Sequence, residues 1–360
     1  MSKKILFYLA SFLFAGLLAG FYALEGNAQE KYETLFILDI APDARSAGMG
    51  DIGAATSPDA MSQKWNASKY IFADMKYGVS LSYTPWLSKI SRGLNMGLIS
   101  GYIQFGEKSA IGASATYLSI GDINLFSADK VEMGTVSSDQ FAIDASYSHR
   151  LGEHVSGGMT LRYANTFKIK QTGTPNSGVL RSVSAFSGDI SFFYVRPVYA
   201  FEKETELAIG TVVSNLGTKV EQYEGVEALM PMNWRLGVTW NVSINPKNVL
   251  SPSFDINKSL VPQTYSQDIT VIEAIGKSFG GGREFTWSAG AEYSYNKLAM
   301  LRLGYRHSKN HEGFRYFTFG AGLVYKSLKL DASYLLSTSP VTTPLSNTFR
   351  LTLSFLGIKN

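Results

Sequence analysis

The side chains best placed to do chemistry near neutral pH are the four histidines, His149, His154, His307 and His311. His307 and His311 stand four residues apart, a spacing that can put two imidazoles on one metal when a helix carries them. Here Ser308-Lys309-Asn310 between them reads as a hairpin loop, which argues against a metal pair. Cysteine is absent, so thiolate catalysis, thiolate metal sites and disulfides are excluded. No serine reads as the nucleophile of a Gly-x-Ser-x-Gly elbow. Gly48-Met49-Gly50-Asp51-Ile52-Gly53 has the spacing of a dinucleotide loop, but no apolar strand leads into it and no βαβ unit follows. It reads instead as a tightly folded segment packed near the mouth of the structure. What remains is a set of isolated charges, Asp144, Arg162, Asp189, Arg235, Glu292, Arg302, Arg306 and Arg350. They can pair with one another in an interior or line a polar pathway, and the sequence leaves both open.

The elements that position those charges are strands. The run Thr348-Phe349-Arg350-Leu351-Thr352-Leu353-Ser354-Phe355 alternates strictly, with Phe349, Leu351, Leu353 and Phe355 on one face. Thirteen earlier segments repeat it: Tyr77–Tyr83, Leu94–Phe105, Ala110–Ile120, Gln140–His149, Val155–Thr166, Phe186–Tyr194, Glu206–Leu216, Asn233–Val242, Val249–Ile256, Phe285–Tyr295, Ala299–Arg306, Tyr316–Tyr325 and Leu328–Leu336. Short connections such as Lys326-Ser327 alternate with long ones such as Asn257–Glu284. The polar face carries small residues (Ser80/Ser82, Gly112/Ser114/Thr116, Ala142/Asp144/Ser146/Ser148), whereas a soluble sheet would show Lys and Glu there. Tyrosines recur at strand ends (Tyr147, Tyr163, Tyr295, Tyr305, Tyr325, Tyr334), as in the aromatic girdles of membrane barrels. The fold class expected is all-β: a transmembrane antiparallel β-barrel of about fourteen strands over 75–356, greasy outside, with a lumen filled by something else.

Three further segments follow from composition. Lys3 and Lys4 precede an apolar stretch ending near Ala23, then Gly26-Asn27-Ala28, so 1–28 reads as a cleaved signal peptide. Its removal takes the formal charge from +4 to +3, too mild to argue for nucleic acid. Residues 29–74 show little alternation and are expected to fold back as a plug; Arg45, Met49, Gly50, Asp51, Trp65, Asn66, Arg162, Glu292 and Arg302 are the candidate plug and lumen residues. In the long loop Asn257–Glu284, Ser266-Gln267-Asp268 can cap a short helix that places Ile269, Ile272, Ile275 and Phe279 on one stripe, stopped by Gly280-Gly281-Gly282. That stripe, with Tyr265, either packs on neighbouring loops and on Leu87 and Ile90 or forms a docking surface with them.

Several ordered stretches resemble a known family. They are Ala44-Arg45-Ser46-Ala47-Gly48-Met49-Gly50-Asp51, Asp59, Trp65-Asn66, Ser214-Asn215-Leu216-Gly217, Pro231 with Arg235-Leu236-Gly237, Asp255-Ile256-Asn257-Lys258 with Leu260-Val261-Pro262, Gly290-Ala291-Glu292-Tyr293 and Arg302-Leu303-Gly304-Tyr305. The chain is similar over most of its length to the PorV family of the type IX secretion system, within the FadL-like barrels of Bacteroidota. The resemblance implies a fourteen-stranded outer-membrane barrel; because the residues offer no catalytic set, neither a cofactor nor enzyme activity is expected. It also implies partners: the C-terminal signal domain of secreted cargo, the translocon, a surface sortase, and lipopolysaccharide to which cargo is attached. A FadL-type channel for hydrophobic small molecules shares the same barrel and plug. An outer-membrane hydrolase is a third reading, and it needs a nucleophile–base pair that the chain does not offer.

Overall fold

The computed structural model describes residues 35–85, 94–121, 123–126, 132–172, 182–200, 203–223, 226–262, 265–266, 268–280, 285–308, 315–338 and 347–358. The expected signal peptide, Leu87, Ile90 and His311 lie outside these residues. Fourteen strands form the wall: β1 Tyr77–Pro85, β2 Asn95–Phe105, β3 Ser109–Ser119, β4 Glu132–Arg150, β5 Val155–Gln171, β6 Ser184–Ala200 and β7 Lys203–Gly217 make the first half. The second half is β8 Asn233–Asn245, β9 Asn248–Ser259, β10 Phe285–Tyr295, β11 Ala299–Ser308, β12 Tyr316–Tyr325, β13 Leu328–Ser337 and β14 Phe349–Leu356. Every neighbour pair is antiparallel, and β1 pairs with β14 from Gly78↔Leu356 to Tyr83↔Leu351. Closure leaves no unpaired strand edge in the hydrocarbon, where an orphaned peptide group costs several kcal/mol.

The alternation sorts side chains as the sequence demands. On β1, Val79, Leu81 and Tyr83 face out and are about half exposed, while Ser80, Ser82 and Thr84 are buried within. All fourteen expected strands are present. Strands β4, β5 and β6 run to 19, 17 and 17 residues, longer than the apolar alternation. Backbone pairing can continue past the apolar band, where the ladder needs no greasy partner; Val136↔Gln171 extends β4 and β5 in this way. Short strands Ile123–Phe126, Val220–Tyr223 and Val226–Ala228 sit in the long loops and were not expected.

The described short turns, such as 106–108, 246–247 and 326–327, and both ends of the barrel chain lie at one rim, and the described residues of the long loops lie at the other. In membrane barrels these rims are periplasmic and extracellular respectively. The main apolar cluster of the described residues sits at the long-loop rim. It joins Leu35, Ile37, Leu38 and Ile40 to loop residues Met230, Met232, Leu260, Val261 and Ile269, and to strand ends Met96, Leu118, Tyr316 and Leu335.

Candidate functional site

Residues 35–74 lie inside the ring and descend from the long-loop rim to the short-turn rim. The segment has little regular structure: a 3-10 turn at Phe36–Leu38, helix α1 at Ala44–Ala47, helix α2 at Ser62–Trp65 and a 3-10 helix at Ala67–Phe72. Asp43 caps α1 by accepting the Ser46 N–H, and also accepts from Trp65 Nε1 at 2.6 Å. Asn66 caps the last turn and reaches the β6 wall, its Nδ2 donating to the Phe192 carbonyl at 3.1 Å. An irregular backbone in a lumen has few partners of its own. Here the small polar face of the barrel supplies them. Ser82 donates to the Pro42 carbonyl (2.7 Å), Ser100 to Ala60 (2.7 Å), Ser148 to Ala67 (2.7 Å) and Ser156 to Ser68 (2.6 Å). Thr352 and Thr318 accept from Ala44 N and Gly50 N at 2.9 and 2.8 Å.

Where the backbone must come closer than a side chain allows, the wall carries glycine. A Cβ on Gly304 would sit 2.1 Å from the Met49 carbonyl carbon and 2.2 Å from Gly50 N; one on Gly210 would sit 1.9 Å from the Ala54 oxygen. Gly50 and Asp51 turn through positive φ (77° and 62°) at this closest approach. The Gly-x-G-x-x-Gly run therefore lies against the middle of β10, β11 and β12, deeper than the mouth position expected for it.

Most of the inward charges are paired; Arg350 instead donates to the Ala41 carbonyl at 3.2 Å. Arg45 forks onto Glu292, with Nε and Nη2 each 3.1 Å from a carboxylate oxygen, and its Nη1 is 2.8 Å from Asp59. Glu292 also holds Arg302 at 2.6 Å, and Arg302 meets Asp331 at 2.8 Å, an ion contact without hydrogen-bond alignment. Burial alone would lower the Arg45 pKa, but Glu292 and Asp59 raise it above the ordinary guanidinium value. Asp59 is held below the usual carboxylate range: burial pushes it up, but Arg45 and then Lys69 outweigh that. A second group joins Asp51, Tyr316, Arg235 and Arg306; Arg235 donates to the Asp51 carbonyl at 2.8 Å and stacks 4.5 Å above the Trp65 ring. In a third, Arg162 binds Asp144, Asp189 and Asn215. Asn215 sits at φ 59° in a β6–β7 bulge that places its N–H 2.8 Å from Asp189.

All nine sequence-selected plug and lumen residues thus fall in these contacts: Arg45, Glu292 and Arg302 in one network, Asp51 and Trp65 in a second, Arg162 in a third, and Met49, Gly50 and Asn66 in the seat. Sequence reading missed the inward glycines as a set, and Lys69, whose Nζ is 2.8 Å from the Gly53 carbonyl. The signal was available as glycine at inward positions on strand after strand. A cavity of about 150 Å³ lies beside the segment, lined by residues including Asp39, Lys64, Arg162, Asp189, Arg235 and Arg306.

The loop helix forms, as α3 at Val271–Ser278, but with a different cap and face. Thr270, not Ser266-Gln267-Asp268, caps it through a capping box with Glu273. The buried side is Ala274 and Ser278, continuing from Ile269 (3 % exposed), with Tyr265, Val271 and Ile275 packed against the mouth cluster. Ile272 is 82 % exposed and Phe279 59 %, so the expected stripe splits between two faces. Ile269 precedes the helix and so does not mark its packed face; Ala274 and Ser278 do, and Ile272 and Phe279 project away from them. Lys258 lies 5.6 Å from the Phe279 ring and 5.3 Å from Phe285, tying the helix end to the wall.

Gly276-Lys277-Ser278-Phe279-Gly280 does match Gly-x-Ser-x-Gly, which corrects the sequence reading. Ser278 ends a helix and is 2 % exposed, and its hydroxyl donates to the Ile275 carbonyl at 2.7 Å. An elbow serine needs a strand-to-helix turn and a neighbouring base. His307 is in β11 rather than a loop, stacked 5.3 Å from Trp287.

A family model described as "Type IX secretion system protein PorV" matches residues 27–266. No curated protein matches the chain in sequence. Among solved structures, the Ralstonia pickettii toluene transporter TbuX aligns with TM-score 0.54 at 11 % identity, covering 88 % of this chain and 98 % of that one. The P. putida toluene transporter TodX aligns with TM-score 0.55 at 10 % identity, covering 88 % and 99 %. At such identities the likeness is one of fold.

Proposed function

The chain belongs to the PorV family and is an outer-membrane component of the type IX secretion system, and from that premise we propose that it is a binding and shuttle protein. Its extracellular loops grip the C-terminal signal domain of secreted cargo leaving the translocon. They carry the cargo to the surface sortase complex, where the signal is removed and the cargo attached to lipopolysaccharide. The observation that carries this reading is a lumen occupied by the chain's own segment, seated backbone to backbone on glycine and latched by Arg45 to Glu292. Work left to such a barrel lies on its rim, where Ile272 and Phe279 are exposed on a helix fixed in place by its cap and by Lys258.

The test is a double substitution, Ile272→Asp with Phe279→Ser, in the native secretion system. Ile272 is exposed and Phe279 gives up only its contact with Lys258, so the barrel should keep its stability within about 1 kcal/mol. Cargo should then accumulate in the periplasm and co-purify poorly. Normal secretion and attachment by this variant would remove α3 from the proposal. The second reading, a channel for hydrophobic small molecules, is favoured by the fold shared with toluene transporters. It predicts uptake of such a compound that is lost when residues around Gly50 are changed.

A further inference from the structure

We propose that the lumen cavity is an oxyanion site, in which a small carboxylate or phosphate group is held between the guanidiniums of Arg235 and Arg306. This goes beyond the shuttle role and does not depend on it. The cavity, about 150 Å³, lies under Leu38–Ile40 and has Asp39 and Lys64 on the segment side and Arg235 and Arg306 on the wall. Net charge does not demand an anion there, because Asp51, Asp144 and Asp255 back the cations from behind. The donor inventory does. Asp144 and Asp189 are taken up by Arg162, and Asp255 accepts from Gly53 N and Ala54 N at 3.0 and 3.1 Å. Asp51 turns one oxygen to the Tyr316 hydroxyl, and Asp255 Oδ2 lies 3.6 Å from Arg235 Nη1; the second oxygen of each carboxylate has no hydrogen-bond partner and does not reach the Arg306 Nε.

Arg306 is left poorly held: Nη1 is 3.8 Å from Asp51, Nη2 is 3.4 Å from Thr286, and Nε has no partner. On the same wall the Asn257 Nδ2 and the Ser308 hydroxyl are buried without a hydrogen-bond partner. A guanidinium largely shielded from solvent, its side chain 14 % exposed, with a spare N–H and a neighbouring guanidinium fits a planar or tetrahedral oxyanion, which can accept from both forks. Burial, then the nearby Arg162 charge, push the Lys64 ammonium down to about 8, as expected where cations crowd a shared space. The volume admits a head group and no acyl chain.

The experiment is thermal unfolding of the purified full chain in detergent, titrated with acetate, inorganic phosphate, decanoate or chloride at matched ionic strength. Acetate or phosphate should raise the melting temperature, and Arg306→Gln should weaken that response at least tenfold in concentration. Ser308→Ala, a smaller change, should weaken it less. A response to decanoate but not to acetate assigns the oxyanion to an acylated molecule whose tail lies outside the cavity. Equal shifts with chloride, no shift with any anion, or an undiminished response in Arg306→Gln would overturn the proposal.

Discussion

Replacing Gly304 by alanine adds one methyl group at the tightest point of the seat, and its consequences can be worked from the coordinates. The new Cβ would lie 2.1 Å from the Met49 carbonyl carbon and 2.2 Å from Gly50 N. Both are main-chain atoms, so no rotamer change relieves the clash, and the segment must back away by more than about 1 Å to reach ordinary contact. Retreat stretches the Gly50 N–H bond to Thr318, now 2.8 Å. Overpacking of this kind costs about 1–3 kcal/mol and the strained hydrogen bond about 1 more. The barrel ladder itself has no objection to alanine at a mid-strand position. The penalty of about 3 kcal/mol therefore falls on docking of residues 35–74, and shifts their docked-to-undocked ratio by roughly two orders of magnitude. In planar bilayers the wild-type barrel should be nearly silent and Gly304→Ala should show frequent open events, while both remain heat-modifiable barrels on gels. Gly97 on β2, where an added Cβ meets nothing within 4 Å, is the control, and Gly97→Ala should behave as wild type. A Gly304→Ala protein with unaltered melting and unaltered conductance would refute the idea that the segment is seated on glycine.

Two more outcomes are expected. Glu292→Gln leaves Arg45 with Asp59 alone and Arg302 with Asp331 alone, and should lower stability by about 3–5 kcal/mol in urea unfolding; a loss under about 1 would mean that the pair is already solvated. Lys69, 1 % exposed and pushed by burial to about 8 from 10.5, makes stability pH-dependent. Its unfolded form binds the extra proton, so stability is reduced below pH 8 and rises between about 8 and 10.5, by roughly 3 kcal/mol in full. Melting curves of Lys69→Met should lose much of that rise.

How far the sequence carries depends on which periodicity a residue obeys. Phe349, Leu351, Leu353 and Phe355 declare the wall because lipid imposes a period of two on every strand, and the same rule recovered Ser80, Thr116 and Asp144 as inward residues. The pairing of Arg45 with Glu292, 247 positions apart, has no period at all. Its legible part was only the cost of leaving either charge alone, which says that partners exist without naming them. The α3 stripe failed for a local reason: spacing alone placed Ile272 with Ile269, but Thr270, paired with Glu273 three residues on, is the cap, so Ile269 lies before the helix and its burial says nothing about the face on which Ile272 stands. The glycines failed differently. Gly210, Gly290 and Gly304 look like weak strand residues one at a time, and become a groove only when closure of the ring brings β7, β10 and β11 around one irregular segment. A small side chain on an inward face is thus read best as a statement about what must pass close to it. In this barrel that neighbour is the chain itself, which is why the interior is rich in serine, glycine and paired charge.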